Sequence, residues 1–186
     1  MMSRALILID WQVGLDHPSH WGGVRANPDA EANGLALLAE WRKRGWPIAH
    51  VFHDSTSEDS PLRPHTPGHA PKAGFEPRAE EPTYHKSVNS AFIGTSLEAD
   101  LKARNLTYLV ICGLTTNHCV STSTRMAGNL GFDVILVGDA CGAHPQGRFD
   151  ADTIHAVSLA NLDGEFCRVV NTSDILATLR ITATVA

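Results

Sequence analysis

Three largely apolar runs, residues 4–10, 108–112 and 132–137, most constrain this chain. Each is short, bounded by polar or glycine residues, and apolar on consecutive rather than alternate positions. That pattern fits strands buried on both faces, which is what a parallel sheet covered by helices on each side requires. Between the runs lie helical patterns. Residues 29–44 place Ala32, Leu35, Ala36, Leu38, Ala39 and Trp41 on a candidate apolar face, and Gly45 is a suitable stop. Thr95-x-x-Glu98 is a capping-box pattern opening a helix to 105. Further helices are expected from Cys119 to 130, over 150–162 and over 172–179, with a frayed tail from Arg180. Short strands are expected at 47–52, 83–86 and 166–170. Strands alternating with helices imply right-handed crossovers and a parallel sheet of about six strands covered on both faces.

At 186 residues the chain is read as one domain, 1–186. A net charge of −5 supplies no basic field for nucleic acid. No run of about 18 apolar residues is present to span a membrane. The run that begins at residue 4 is too short for a signal-peptide core and ends in Asp10, so a cytoplasmic protein is expected. The four cysteines, 112, 119, 141 and 167, include no C-x-x-C pair, which removes zinc-knuckle and thioredoxin readings.

The chemistry-bearing residues stand where these elements end. Asp10 closes the first strand, and open α/β sheets bind ligands beyond their strands' carboxyl ends. Lys86 ends the short strand 83–86. Cys119 stands at the expected start of a helix, where unpaired N–H groups and the macrodipole favour thiolate. The same thiol also fits a small apolar residue capping a core helix. An amide hydrolase needs a nucleophile, a group that takes the thiol proton and later gives one to the leaving amine, and charge stabilisation. A thiol, a carboxylate and an ammonium can supply all three. The proline-rich loop 56–82 holds His65 and His69, but with His53 these match no strong metal-ligand spacing.

Three blocks carry a family resemblance: Leu6-Ile-Leu-Ile-Asp10; Lys86-x-x-Asn89-Ser-Ala-Phe92-x-Gly94-Thr95; and Gly113-Leu-Thr-Thr-Asn-x-Cys119-Val120. In this order they resemble the signature blocks of the isochorismatase-like cysteine hydrolases, which include nicotinamidases, N-carbamoylsarcosine amidases, ureidoacrylate and biuret hydrolases and streptothricin hydrolases. The resemblance implies a three-layer α/β/α, Rossmann-like fold with a six-stranded parallel sheet. It implies a triad of Asp10 as general base and acid, Lys86 as electrostatic partner and Cys119 as nucleophile. It implies a cis peptide between Leu114 and Thr115, with the Thr115 and Cys119 amides as an oxyanion hole. It also implies a dimer or tetramer acting on a small amide-type substrate without a cofactor.

Departures from the family pattern narrow the substrate. Nicotinamidases carry Asp-x-His after the second strand as part of a metal site, whereas this chain has His53-Asp54-Ser55. No catalytic metal is therefore expected, and the streptothricin-hydrolase-like branch fits better. Isochorismatase itself lacks the cysteine, so Cys119 points to amide-like substrates. Pocket candidates are Trp11, Trp21, His53, Phe92, Asn117 and His118. Two other readings stay open: a nicotinamidase-like amidase with a displaced metal site using His53 or Asp54, and a non-catalytic nucleotide-binding or structural α/β module. The second lacks a G-x-G-x-x-G after the first strand.

Overall fold

The computed structural model describes residues 4–184. Six strands, β1 (Arg4–Ile9), β2 (Ile48–His53), β3 (Thr83–Lys86), β4 (Tyr108–Leu114), β5 (Asp133–Gly142) and β6 (Arg168–Val170), form one sheet in the order β3-β2-β1-β4-β5-β6. Every pairing is parallel. The helices are α1 (Pro18–Trp21), α2 (Ala30–Arg44), α3 (Leu97–Ala103), α4 (Ser121–Asn129), α5 (Ala151–Ala160) and α6 (Thr172–Thr184). None is long and apolar enough to cross a membrane. The apolar runs are the buried centre of the sheet: Leu6 to Ile9 in β1 and Leu109 to Cys112 in β4 are at most 1% exposed.

Several details differ from the sequence expectation. The buried stripe of α2 is Ala30, Gly34, Leu37, Leu38 and Trp41, while Ala32 and Ala39 face solvent. Gly34 lies where Trp11 and Phe75 pack, and a Cβ there would meet Trp11 at 2.8 Å, so the missing side chain sets the face. No capping box forms: α3 begins at Leu97 after Ser96, and the Thr95 hydroxyl instead donates to the Ala91 carbonyl at 2.6 Å. Strand β5 runs past Gly138-Asp139 to Gly142. The Asn27 and Asn33 amides donate to the Asp139 carbonyl there, and Asn27 also to that of Cys141, satisfying backbone acceptors that a turn would otherwise leave open. Helix α6 continues through the expected frayed end to Thr184.

Gly113 has φ +143, and a Cβ on it would lie 2.0 Å from the Ile9 carbonyl oxygen. Backbone, not a flexible side chain, blocks that position. Gly113→Ala is therefore expected to destabilise the fold by more than about 3 kcal/mol, read as a lowered urea midpoint. A midpoint equal to that of the parent would contradict the close approach.

At the far edge, Glu81 accepts two bonds from the Arg42 guanidinium, at 2.7 and 2.8 Å, and one contact from His50 at 2.8 Å. Burial pushes its carboxyl up, but these partners and the Arg78 amide outweigh burial and hold it at about 2. A carboxyl depressed from 4.5 contributes stability that is present above pH 4.5 and is lost as pH falls toward 2. Glu81→Gln is expected to cost about 3 kcal/mol at neutral pH and to flatten the fall in melting temperature across that acid window. An unchanged acid slope would remove Glu81 from the account.

Candidate active site

Strand β1 is the pivot of the sheet. The chain builds β1, β2 and β3 toward one edge, then returns to set β4 on the other side of β1. A crevice opens beyond the carboxyl ends of β1 and β4, where the direction of winding reverses. Asp10 follows β1 and the Cys119 turn follows β4, so both reach this crevice.

Asp10 has φ 49, a left-handed conformation that aspartate tolerates better than most residues. Its N–H donates to the Val51 carbonyl at 2.9 Å, which anchors the bend on β2. The carboxylate is 1% exposed. Oδ2 accepts from Lys86 Nζ at 2.8 Å, whereas Oδ1 is buried with no hydrogen-bond partner. Lys86 stands two strands away, in register with His53 of β2, and its long side chain reaches across the end of that strand. It contacts His53 Nδ1 at 3.0 Å on the way. An ammonium can only donate, so His53 Nδ1 accepts and its ring proton sits on Nε2. Burial first, and Lys86 second, push the His53 imidazole down, which keeps the ring neutral. Both backbone groups of His53 are held by the buried Gln12 side chain: Oε1 accepts the N–H at 2.8 Å and Nε2 donates to the carbonyl at 3.2 Å.

Cys119 lies inside a π-helical turn, Thr116–Val120, that leads into α4, one step removed from a simple helix start. The Leu114–Thr115 peptide bond before this turn is cis. The Thr115 carbonyl accepts the N–H groups of His118 and Val120 at 3.1 and 3.2 Å, which shapes the turn. Sγ lies 3.9 Å from His53 Nδ1 and 3.8 Å from Asn89 Oδ1. One ligand-type atom from each of Asp10, His53 and Cys119 falls within 4.8 Å of the others.

Burial works against the thiolate that a helix start favours. Burial raises the Cys119 thiol above its ordinary range, the Asp10 charge raises it further, and Lys86 offsets only part of this. Cys112 and Cys167 are each pushed up to about 12, again by burial, and Cys141 also rises. Acidity thus does not single out Cys119. Its place beside Asp10 and a cavity does.

That cavity has a volume of about 310 Å³. Asp10, Cys119 and Thr115 line it, and so do Trp21, His53, Asn117 and His118 from the sequence candidates. Trp11 and Phe92 are corrections. Trp11 stacks on Phe75 at 4.4 Å beneath α2, and Phe92 stacks on Phe132 at 5.9 Å; both are core packing. Asp54 is absent from the lining, and its carboxylate instead contacts His69 and His85. Sequence reasoning missed Leu15, Leu62, His144 and Gln146 as wall residues, and Gln12 as the clamp on His53. Asn89 stood in a quoted block and was passed over. His144 and Gln146 follow the true end of β5, which the Gly138-Asp139 pair disguised.

A parallel six-stranded α/β sheet with these residues at its switch point is the architecture of a family. Residues 4–174 match the isochorismatase domain model. The uncharacterized isochorismatase family protein YrdC of Bacillus subtilis (strain 168) is 43% identical, over 93% of this chain and 94% of its own length. Streptothricin hydrolase of Streptomyces noursei is 30% identical over 82% of this chain and 55% of its own. The crystal structure of an isochorismatase-family protein from Chromobacterium violaceum ATCC 12472 superposes with a TM-score of 0.91 at 49% identity, covering 95% of this chain and 93% of that one. The chain belongs to the isochorismatase family of hydrolases.

Proposed function

We propose that this protein is a cysteine-dependent, metal-independent hydrolase that cleaves an amide-type C–N bond of a small molecule through a thioester. The observation that carries the reading is the free oxygen of Asp10. Oδ1 is buried and without a partner, in a carboxylate within 4.8 Å of the Cys119 sulfur, while Oδ2 is held by Lys86. A base so placed takes the thiol proton at the moment of attack, which a thiol raised by burial requires.

The cycle follows from that geometry. Asp10 accepts the thiol proton, and sulfur attacks the carbonyl carbon. The backbone amides of Thr115 and Cys119, both on the cavity wall, receive the oxyanion. Protonated Asp10 passes its proton to the departing nitrogen, the C–N bond breaks, and ammonia or an amine leaves. Asp10 then takes a proton from water, whose oxygen attacks the thioester. The C–S bond breaks, releasing the acid, and Asp10 returns the proton to sulfur. Lys86 holds Oδ2 throughout, which leaves Oδ1 as the oxygen that exchanges protons.

The walls also select. Among the described residues the lining carries no arginine or lysine, and burial holds three of its four histidines, His53, His118 and His144, toward the neutral form. A dicarboxylate would bury charge there without a cationic partner. Compact, uncharged primary amides, ureido and carbamoyl compounds fit better. Asp10, His53 and Cys119 also form a trio able to ligate a metal. The Lys86 ammonium already contacts two of the three, at 2.8 and 3.0 Å, so a dication would meet like charge. The test is ammonia release from a panel of those compounds, before and after treatment with a chelator. Chelator-insensitive release supports the reading. Release that chelation abolishes and metal restores would replace it with the metalloenzyme reading.

A further inference from the structure

A second group of ligating side chains lies outside the cavity. Asp54 follows β2, His85 is in β3, and His69 sits in the short turn Pro67–His69 of the long loop. One ligand atom from each falls within 4.8 Å of the others. Both imidazoles converge on one carboxylate oxygen: His69 Nε2 is 2.7 Å and His85 Nδ1 3.0 Å from Asp54 Oδ1. We propose that Asp54, His69 and His85 form a site for a single divalent transition-metal ion of the zinc type, separate from the catalytic centre.

Strand alternation separates the two sites. His53 and Lys86 are register partners whose side chains meet at the catalytic crevice. Their chain neighbours Asp54 and His85 therefore project to the opposite face of the sheet edge. There, ligand atoms from three distant segments meet without any cationic lysine or arginine among their hydrogen-bonded partners. This contrasts with the Asp10 trio, where Lys86 intrudes.

The donor set suits the ion. Two imidazoles and one carboxylate, completed by water, make a common tetrahedral zinc shell. Ligand atoms about 2.0–2.1 Å from zinc lie roughly 3.3 Å apart, so the hydrogen-bonded pairs need open by only a few tenths of an ångström. The His85 side chain is 48% exposed, which leaves a solvent-side position and an entry path. The rings are already oriented. Phe52 stacks on His85 at 5.4 Å, and His69 stacks on His85 at 6.0 Å. The backbones are held as well: the Asp54 N–H donates to the Lys86 carbonyl at 2.8 Å, and the His69 carbonyl accepts from Gln12 at 3.0 Å.

Occupancy would tie the long loop to the ends of β2 and β3. That loop carries Leu62, a cavity wall residue whose carbonyl accepts the Ser55 N–H at 3.1 Å. The ion therefore acts on stability and on the position of a wall, and takes no part in bond cleavage.

The test uses Zn²⁺ with the full chain carrying Cys119→Ser, which removes the sulfur of the other trio and makes the result independent of the amidase reading. Calorimetric titration is expected to give one Zn²⁺ per chain and a raised melting temperature. Adding His85→Ala, or separately Asp54→Asn, is expected to weaken binding at least about 100-fold and to abolish the thermal shift. Cobalt in place of zinc is expected to show the visible absorption of a tetrahedral site, lost in the same variants. No stoichiometric binding in Cys119→Ser, or binding that survives both added substitutions, overturns the proposal.

Discussion

Cys119→Ala is expected to abolish release of ammonia or amine from every substrate the parent cleaves, by about 10⁴-fold or more in kcat. The fold should persist. Alanine removes one buried sulfur, a small cavity worth about 1 kcal/mol, and the Asp10–Lys86 pair does not depend on it. Circular dichroism and a melting temperature near that of the parent would show this. Cys119→Ser retains the volume but offers a far weaker nucleophile, so it too should be inactive. Cys112→Ala makes the contrast. That sulfur is fully buried in β4 and away from the cavity, so its loss should cost stability and leave kcat nearly unchanged. Full activity in Cys119→Ala would end the thioester mechanism and with it the amidase reading as stated.

How much of this was legible in the sequence depends on how local each signal is. The strands were readable because burial on both faces leaves a continuous apolar run, which needs no knowledge of partners. The strand ends carrying Asp10 and Lys86 followed directly. The end of β5 did not, because Gly138-Asp139 is a turn signal by itself. The side chains that keep the strand going, Asn27 and Asn33, lie more than 100 residues earlier in the chain. The helix face of α2 was misjudged for a similar reason: Gly34 is buried because Trp11 and Phe75 press on it, and no periodicity reports that. Trp11 and Phe92 carried the same aromatic signal as Trp21, and only the path of the loops separates packing from cavity wall. The surroundings of Cys119 were the least legible feature. A helix start argues for thiolate, but burial and the neighbouring Asp10 charge, both tertiary facts, oppose it.

The second large effect concerns the pair beneath the nucleophile. Lys86 and Asp10 are 0% and 1% exposed and 2.8 Å apart. Removing one partner strands a buried charge, so Asp10→Asn and Lys86→Met are each expected to lower stability by about 3–5 kcal/mol. Each should also lower kcat by about 10³-fold or more, though for different reasons. Asparagine cannot take the thiol proton. Methionine removes the counter-ion from a buried carboxylate, which favours the protonated acid and so takes away the base that must accept the thiol proton. The double variant separates structure from chemistry. With both charges gone, no stranded ion remains, and most of the stability lost in either single variant should return, giving a coupling of several kcal/mol in a double-mutant cycle. Activity should not return, because no base is left beside the sulfur. Denaturant unfolding and steady-state kinetics on the same four proteins measure both quantities. Recovery of stability without recovery of kcat would assign the pair a catalytic role beyond holding the fold. Recovery of both would mean the proton travels by another route, with His53, 3.9 Å from the sulfur, the nearest alternative base.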